Sequence, residues 1–412
     1  MSDRSKTVAI IGQGYVGLPL AMAAVDAGYN VIGVENSQAK FEDIAAAHSP
    51  VEDVPDSRIQ AALASGNYRI TKNPADVGQA AIITICVPTP LGSDRKPDLA
   101  ILETAVVSIA PHLTSGTLVI NESTSYPGTL RDLIAPLIEK HKSSAEISID
   151  LAVAPERVNP GDAIWNHKNT PRLVGGIDEK STKRAVDFYN AVCGNVVQVS
   201  APEVAETAKL LENTFRLVNI ALVNQLAQMC ADQGINVHEV IDAAATKPYG
   251  FMKFTPSVGV GGHCIPVDPM YLSWWAERNG SKASMIDMAD EINVAMPIYV
   301  SQRVRDLIPA GSQSKKVLIL GVAYKPGVKD VRESPATSLR DDLIAHGCEV
   351  GWIDPLVNDW DGLKPVGHDW QCDVAVVATA QPGLPVKEIA GRGIPVLDCT
   401  NLFTGLGGVV RL

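Results

Sequence analysis

The sequence predicts an α/β fold in which two parallel-sheet domains are joined by a long central helix and a helical connector. Short continuous runs of Ile, Val and Ala alternate with helical stretches near both ends of the chain, and an uninterrupted helical stretch lies between them. At 412 residues the chain is also too long for a single core. We therefore expect domains at 1–200, 201–297 and 298–412.

The first domain contains five runs typical of strands that are buried on both faces of a parallel sheet. They are 8–11, 31–34, 81–87, 118–120 and 149–154, and a further α/β stretch at 171–200 completes the domain. After Pro202 no Gly or Pro occurs until Gly234, which predicts one helix of about thirty residues, buried between domains or subunits. Short helices are expected from there to about Pro297. Four more parallel strands are predicted at 316–321, 349–353, 374–379 and 395–398.

Composition excludes several classes of protein. A net charge of −11 argues against nucleic-acid binding. The sequence contains no run of roughly 18 apolar residues, so we expect no membrane-spanning helix. The N-terminus leads directly into a strand, so we expect no signal peptide. Seven scattered cysteines without CxxC spacing argue against disulfides and against a metal site, and they favour the reducing cytoplasm.

A glycine-rich turn follows the first predicted strand and opens a helix. Gly12, Gly14 and Gly17 form a GxGxxG fingerprint that includes Tyr15 and Val16, and the second strand leads to Glu35. The glycines permit a tight turn, close approach of a pyrophosphate and packing of the helix on the strand. A carboxylate after the second strand binds a ribose 2′-OH and disfavours a 2′-phosphate. The pattern predicts a Rossmann-like domain that binds NAD, the alternative being a glycine turn without a ligand.

Three further loops follow strands and therefore lie at the carboxyl edge of the sheet, where ligands bind in this architecture. The first carries Pro88 and Thr89, and the second carries Thr124, whose hydroxyl we expect to face the nicotinamide or a catalytic water. The third carries Glu156, a carboxylate suited to ordering or deprotonating water. Read alone, each loop is equally compatible with an ordinary turn, and Glu156 with a solvated acid.

Cys264 lies behind two glycines and ahead of Asp268 in a proline-braced loop, which favours a nucleophilic thiolate over a buried core cysteine. On the central helix, Lys209 and Asn213 share a face with Glu206. They predict either a structural polar cluster or a pair of donors for an oxyanion. Asp268 is expected to pair with Lys209 or to activate water.

A charged loop follows the first strand of the last segment. Lys325 and Arg332 lie in this Gly/Pro-containing loop, where they are able to reach an anionic ligand. A solvated charge pair is the alternative interpretation.

Together, the runs GYVG, VPTP, ESTSYPGT, APERVNPG, ETAKLLENTFR, GVGGHCIPVDP and YKPGVKDVRESP resemble the UDP-sugar 6-dehydrogenases over essentially the whole chain. The resemblance implies a four-electron oxidation of the sugar C6 alcohol by two NAD, through a thiohemiacetal and a thioester on Cys264. It implies an oxyanion site at Lys209 and Asn213, and acid/base or water-activating roles for Asp268, Glu156 and Thr124.

The same resemblance implies a homodimer built on the central helix, no membrane partner, and Arg332 in contact with NAD. It implies substrate contacts at Glu156, Arg157, Lys209, Asn213, Tyr249, Phe251, Gly261 and Lys325. The run at 246–252 is similar to the TKPFGF run of the UDP-N-acetylglucosamine branch, which we therefore expect as the substrate. Gln225 and the run at 256–258 depart from that branch, so UDP-N-acetylmannosamine and UDP-glucose remain alternatives.

Two other classes of function account for the sequence less completely. A two-electron hydroxyacid dehydrogenase would need neither Cys264 nor the segment at 316–412. A nucleotide-sensing scaffold would not need Lys209, Asn213 and Asp268 together with the cysteine.

Overall fold

The computed structural model describes residues 4–157, 169–312, 314–403 and 405–412. The strands are β1 Thr7–Ile11, β2 Asn30–Val34, β3 Tyr68–Thr71, β4 Ile82–Ile85, β5 Thr117–Asn121, β6 Ile149–Val153, β7 Arg172–Gly176, β8 Val196–Gln198, β9 Lys316–Leu320, β10 Glu349–Ile353, β11 Val374–Val377, β12 Val396–Asp398 and β13 Val409–Arg411. The α-helices are α1 Gly17–Asp26, α2 Gln38–Ala45, α3 Asp56–Ala64, α4 Ala100–Ile109, α5 Ala135–His141, α6 Glu179–Val192, α7 Pro202–Asp232, α8 Val237–Ala245, α9 Asp268–Arg278, α10 Ser284–Asp306, α11 Pro335–Ala345 and α12 Val386–Gly391.

The chain divides into two compact units. Unit 1 contains Met1–Glu212 and Trp274–Gly280, and unit 2 contains Asn213–Ser273 and Ser281–Leu412. Unit 1 holds an eight-stranded sheet of order β3-β2-β1-β4-β5-β6-β7-β8, and unit 2 holds a five-stranded sheet of order β10-β9-β11-β12-β13. The predicted α/β class with two Rossmann-like sheets and a helical connector is confirmed.

The strands that sequence predicts are those with continuous apolar runs. The five predicted strands of unit 1 and the four of unit 2 all form, because most of their side chains are buried on both faces. Strands β3 and β13 were not predicted, since they are short and only partly buried. In the sheet of unit 1, β1 to β6 pair in parallel, whereas β7 runs antiparallel to β6.

The central helix is confirmed as one element of 31 residues that ends at Asp232, just before Gly234. The expectation of only short helices up to Pro297 is wrong, because α10 is 23 residues long and contains Pro297 in its interior. Proline usually ends a helix since it lacks a backbone N–H. Here Pro297 lies on the buried face of α10, and packing of that apolar face keeps the helix continuous through the proline. The expected boundary at 298 therefore lies inside α10.

Among the described residues, no helix combines the length and the hydropathy that crossing a bilayer requires.

Candidate active site

The glycine-rich turn of unit 1 contains three glycines, and each position requires glycine for a different physical reason. Gly12 has a φ of +88°, and a Cβ there would lie 2.6 Å from the carbonyl oxygen of Cys86. A Cβ on Gly17 would overlap the carbonyl oxygen of Gly12, so the turn and the helix pack directly on each other. A Cβ on Gly14 would meet only Lys40 Nζ, at 3.8 Å. Gly14 therefore leaves open the approach that a pyrophosphate needs.

Glu35 lies directly after β2 with its carboxylate beside this turn. Its two oxygens accept backbone N–H hydrogen bonds from Gln13 at 2.9 Å and from Ser37 at 2.8 Å. A carboxylate has about four acceptor sites, so lone pairs remain for ribose hydroxyls. Gln13 was not predicted from the sequence, and its side chain is held by Ile10 and by the hydroxyl of Tyr68. Together with the half-buried Tyr15 and Val16, these groups fit the adenosine diphosphate half of NAD.

Ser123, a second residue that was not predicted, joins two of the predicted ligand loops. Its hydroxyl donates to the carbonyl oxygen of Val87 at 2.8 Å and accepts from the N–H of Val87 at 2.9 Å. The loop with Pro88 and Thr89 is thereby fixed beside the loop with Thr124. Thr124 is half-buried between two buried serines. These three predicted cofactor residues therefore share one edge of the sheet.

Glu156 belongs to a buried ionic cluster in unit 1. Its Oε2 lies 2.9 Å from Nη2 of Arg172, and Nη1 of Arg172 lies 2.9 Å from Oε2 of Glu122. The hydroxyl of Tyr189 donates to Oε1 of Glu122, and its ring lies under the guanidinium, 5.3 Å from Cζ. Burial raises the pKa of Glu122 to about 7, although the positive charge of Arg172 opposes this rise. Glu156 is thus not an isolated solvated acid.

Arg157, which the resemblance implies as a substrate contact, forms an ion pair with Glu212 at 2.6 Å. Its Nη1 also donates to the carbonyl oxygen of Pro171 at 2.8 Å. These contacts hold the guanidinium within the protein. The remainder of the APERVNPG run, residues 158–161, lies outside the described residues.

The central helix carries three buried polar side chains, which are Glu206, Lys209 and Asn213. Glu206 accepts backbone N–H hydrogen bonds from Gly128 at 2.6 Å and Leu130 at 3.2 Å, and so fixes the loop that follows β5. Burial raises the pKa of Glu206 to about 8. Lys209 belongs to unit 1, whereas Asn213 is the first residue of unit 2.

In unit 2 the exposed Cys264 precedes helix α9, which begins at Asp268. The backbone N–H of Asp268 donates to the carbonyl oxygen of Cys264 at 2.8 Å. Asn213 donates from Nδ2 to Oδ2 of Asp268 at 2.6 Å, and both side chains are buried. The thiol is therefore presented outward from a loop whose other end is fixed to α7.

The two positions before Cys264 require glycine because neighbouring groups leave no room for a side chain. A Cβ on Gly261 would lie 2.8 Å from the carbonyl oxygen of Glu333, and one on Gly262 would lie 2.8 Å from the ring of Tyr324. The cysteine loop is thus packed against the loop that carries Lys325. Burial raises the pKa of Tyr324 to about 12.

Arg332 forms two hydrogen bonds to the carboxylate of Asp330, at 2.9 and 2.6 Å, and half of its side chain remains exposed. Burial raises the pKa of Asp330, but the bonds from Arg332 outweigh burial and leave that pKa well below its usual range. Nζ of Lys325 lies 5.8 Å from the centroid of the Tyr324 ring. Both cations are available to a ligand only in competition with these contacts.

Tyr249 and Phe251, the remaining predicted substrate contacts, are exposed, with 73% and 42% of their surface accessible. Nζ of Lys247 lies 4.9 Å from the centroid of the Tyr249 ring. Among the described residues, no group of three or more His, Cys, Asp or Glu side chains is arranged to hold a metal ion.

Comparison with known proteins agrees with this geometry. Three models of the UDP-glucose/GDP-mannose dehydrogenase family match the chain: the NAD binding domain at residues 6–193, the central domain at 203–295 and the UDP binding domain at 318–402. The UDP-N-acetyl-D-mannosamine dehydrogenase of Methanocaldococcus jannaschii is 36% identical over 360 residues, which are 86% of this chain and 80% of that protein.

Solved structures give the same result. The UDP-D-ManNAc dehydrogenase of Pyrococcus horikoshii superimposes with a TM-score of 0.86 at 31% identity, over 98% of both chains. A UDP-glucose dehydrogenase from Pyrobaculum islandicum superimposes with a TM-score of 0.86 at 25% identity, over 96% of this chain and 94% of that one. NAD is therefore the cofactor, as the glycine-rich turn and Glu35 predict. The chain belongs to the UDP-glucose/GDP-mannose dehydrogenase family and is an NAD-dependent oxidoreductase of nucleotide sugars.

Proposed function

We propose that this protein oxidises the C6 alcohol of a UDP-N-acetylhexosamine to the carboxylate, with UDP-N-acetyl-D-mannosamine as the substrate. The outward presentation of Cys264 beside the buried Asn213–Asp268 pair carries this proposal. The two relatives from Methanocaldococcus jannaschii and Pyrococcus horikoshii are named as dehydrogenases of UDP-N-acetyl-D-mannosamine. This similarity favours the manno epimer over the gluco epimer that we expected from the sequence.

The proposed chemistry removes four electrons. When bound, NAD accepts the hydride from C6 in each of the two oxidation steps. The alcohol loses a hydride and a proton to give the aldehyde, and the Cys264 thiolate adds to that aldehyde to form a thiohemiacetal. Loss of a second hydride and a proton gives the thioester. Water then hydrolyses the thioester to the carboxylate and frees the thiol.

The other residues have roles that their chemistry suits. Lys209 and Asn213 stabilise the oxyanion that develops at C6 during thiol addition and hydrolysis. Asp268 exchanges protons with the reacting oxygen, and Glu156 deprotonates the attacking water. Thr124 holds that water.

Further residues bind the two ligands in this proposal. Pro88, Thr89 and Arg332 contact NAD. The UDP-sugar is contacted by Arg157, Tyr249, Phe251, Gly261 and Lys325. In this scheme the segments 1–200, 201–297 and 298–412 bind NAD, carry the cysteine and bind UDP, respectively.

We also infer a homodimer in the cytoplasm. Phe215, Leu222 and Met229 follow one another at seven-residue spacing on α7, and 46%, 61% and 61% of their surfaces are exposed. Such a stripe is typical of a helix that packs against a partner. The described cysteines are all free thiols, as a reducing compartment favours. Sedimentation velocity tests the dimer: Leu222→Glu should yield a monomer, and a wild-type monomer would contradict it.

UDP-N-acetylglucosamine is the second candidate, favoured by the run at 246–252, which contains Tyr249 and Phe251. The test offers the gluco, manno and galacto epimers and UDP-glucose separately, and counts NADH produced per sugar consumed. A ratio near two on the manno epimer supports the proposal, whereas a ratio near two on the gluco epimer alone would transfer it to that sugar. A ratio near one would remove the role of Cys264.

Cys264→Ser provides the matched variant for the same assay. Serine retains the shape of the side chain but is far less ionised than a thiol, so it should bind both ligands and form no carboxylate. Full conversion to the acid by this variant would overturn the covalent route.

A further inference from the structure

We propose that Glu122, acting through Arg172, is a positioning residue that sets the charge and the orientation of the Glu156 carboxylate. This inference rests on the proposed function, in which Glu156 deprotonates the water that hydrolyses the thioester. The inference is argued from Glu122, Arg172 and Tyr189. The sequence motifs assigned no role to these three residues.

The orientation of Glu156 follows from its two hydrogen-bond donors. Nη2 of Arg172 lies 2.9 Å from Oε2, and the backbone N–H of Arg157 donates to Oε1 at 2.6 Å. The register of the antiparallel β6–β7 pair explains the first contact. Val153 lies opposite Gly175, and three further steps along both strands bring Glu156 opposite Arg172. Glu156 lies three residues beyond the end of β6, so the strand register directs the chain toward Arg172 and the side-chain hydrogen bond completes the contact.

The guanidinium of Arg172 is shared between two carboxylates in very different surroundings. The side chain of Glu122 is 0% exposed and that of Arg172 is 3% exposed, whereas Glu156 retains 14%. Only Glu156 is accessible to water or a ligand. Glu122 thus acts on the accessible carboxylate from the interior, through the buried cation that the two share and through its own charge.

The charge of this cluster depends on one proton. With both carboxylates ionised, the two negative charges and one positive charge sum to −1, and Arg172 divides its attraction between them. With Glu122 protonated, the sum is zero and Arg172 is paired with Glu156 alone. A nearby negative charge raises the proton affinity of a carboxylate, so ionised Glu122 makes Glu156 the stronger base.

The groups that face Glu122 set the pH at which this change occurs. Burial raises the pKa of Glu122 to about 7, Arg172 opposes this rise, Glu156 adds to it, and the hydrogen bond from Tyr189 lowers it again. Cys86, which follows β4, also faces the cluster, and its own burial raises the pKa of its thiol well above the usual range.

One further thiol borders the cluster. Cys193, which follows α6, lies near Arg172, and burial raises the pKa of this thiol to about 11. Both thiols therefore remain protonated near neutrality, where the pKa of Glu122 lies.

Glu122→Gln tests the proposal because it keeps the shape of the side chain and removes the charge at every pH. Arg172 is unsuitable for the first test, since its loss would leave two buried carboxylates without a cation. The measured step is decay of the acyl-enzyme on Cys264 in a single turnover with UDP-N-acetyl-D-mannosamine. Rapid quenching and intact mass follow it, while NADH absorbance reports the oxidation steps.

The expected result is a pH-dependent ratio of rates. At pH 6 wild type and Glu122→Gln should hydrolyse the acyl-enzyme equally. At pH 8 wild type should be about three- to tenfold faster, because ionised Glu122 makes Glu156 the stronger base. Tyr189→Phe removes a donor to ionised Glu122, so it should raise the midpoint of the wild-type profile to a higher pH. Asp76→Asn breaks an exposed ion pair with Arg69 elsewhere in unit 1 and serves as the control.

Two outcomes would overturn the proposal, and they are distinguishable. If Glu122→Gln lowers the rate by one factor at all pH values, or leaves it unchanged, Glu122 has at most a structural role. If wild type accumulates no acyl-Cys264 with any of the four UDP-sugars, the proposed function fails and this inference fails with it. Equal NAD binding and thermal unfolding of the variants exclude a folding defect as the cause of a slower rate.

Discussion

Nδ2 of Asn213 donates a 2.6 Å hydrogen bond to Oδ2 of Asp268, and both side chains are buried where helices α7 and α9 meet within unit 2. This bond fixes which way the Asn213 amide points, because only its nitrogen can donate. It also satisfies one oxygen of the buried Asp268 carboxylate. The five residues from Cys264 to Asp268 are thereby anchored to the central helix at their last member.

Asn213→Asp should lower kcat about a hundredfold, because two carboxylates at this distance must share a proton and an oxyanion donor is lost. The Kd for NAD should remain unchanged. Steady-state kinetics and a fluorescence titration with NAD measure the two quantities. The control is Asn73→Asp, where the side-chain oxygen accepts from the N–H of Ala75 and aspartate does so equally well. An unchanged kcat in Asn213→Asp would exclude Asn213 from the site.

Two glycines of the dinucleotide turn should respond differently to alanine. Gly14→Ala places its Cβ in ordinary contact with Lys40 Nζ alone, at 3.8 Å, so the melting temperature should be unchanged. The same Cβ should weaken NAD binding at least about tenfold. Gly17→Ala should instead destabilise the fold, since its Cβ would overlap the carbonyl oxygen of Gly12. In an ordinary helix the same change stabilises by roughly 1 kcal/mol. Calorimetry and NAD titration separate the two effects, and wild-type affinity in Gly14→Ala would contradict the assignment.

Lys209→Met should lower kcat by about 10² to 10³ with little change in the Kd for NAD, which is the usual effect of removing one oxyanion donor. Methionine retains the length of the side chain at this buried position. Lys180→Met is the matched control, because Lys180 is exposed and its partner Asp150 keeps a second ion pair with Arg184. Equal loss of turnover in both variants would mean that losing any positive charge lowers kcat, and Lys209 would have no specific role.

Glu206→Gln should alter how stability depends on pH. The pKa of Glu206 is about 8 in the folded protein, against 4.5 for an ordinary glutamate, so between these values the folded state holds a proton that the unfolded state has lost. The contribution of Glu206 is therefore complete below pH 4.5 and is lost as pH rises to 8. The free energy of unfolding of wild type, relative to that of Glu206→Gln, should fall across this window by about 1.4 kcal/mol for each pH unit.

Urea unfolding at pH 5 to 9 measures this difference for Glu206→Gln. Glu139→Gln, which removes an exposed carboxylate of α5, controls for the loss of one negative charge. A difference that stays constant from pH 5 to 8 would contradict the assignment.

Local sequence patterns predicted much of the fold and part of the site. The strands with continuous apolar runs, the helix Pro202–Asp232 and the glycine turn were all predictable, because each depends on neighbours in the chain. Ser123, Arg172 and Tyr189 were not, because their contacts depend on which strands become neighbours and in which direction they run. Glu122 also lies in a motif that was recognised, but its burial beside Arg172 depends on the register of β7.

The direction of β7 also has a consequence for building chimeric enzymes. Since β7 runs against β6, its first residue stands at the carboxyl end of β6. Suppose that this segment were replaced by a strand of the opposite direction. The first residue of the new strand would then lie at the other edge of the sheet, about 13 Å from the present position of Arg172, since four residue steps of roughly 3.3 Å separate the two ends of the strand. Exchange of cofactor domains between relatives should therefore transplant β6, β7 and the residue after β5 together. A crossover placed between them would leave a glutamate in the hydrophobic interior without its cation.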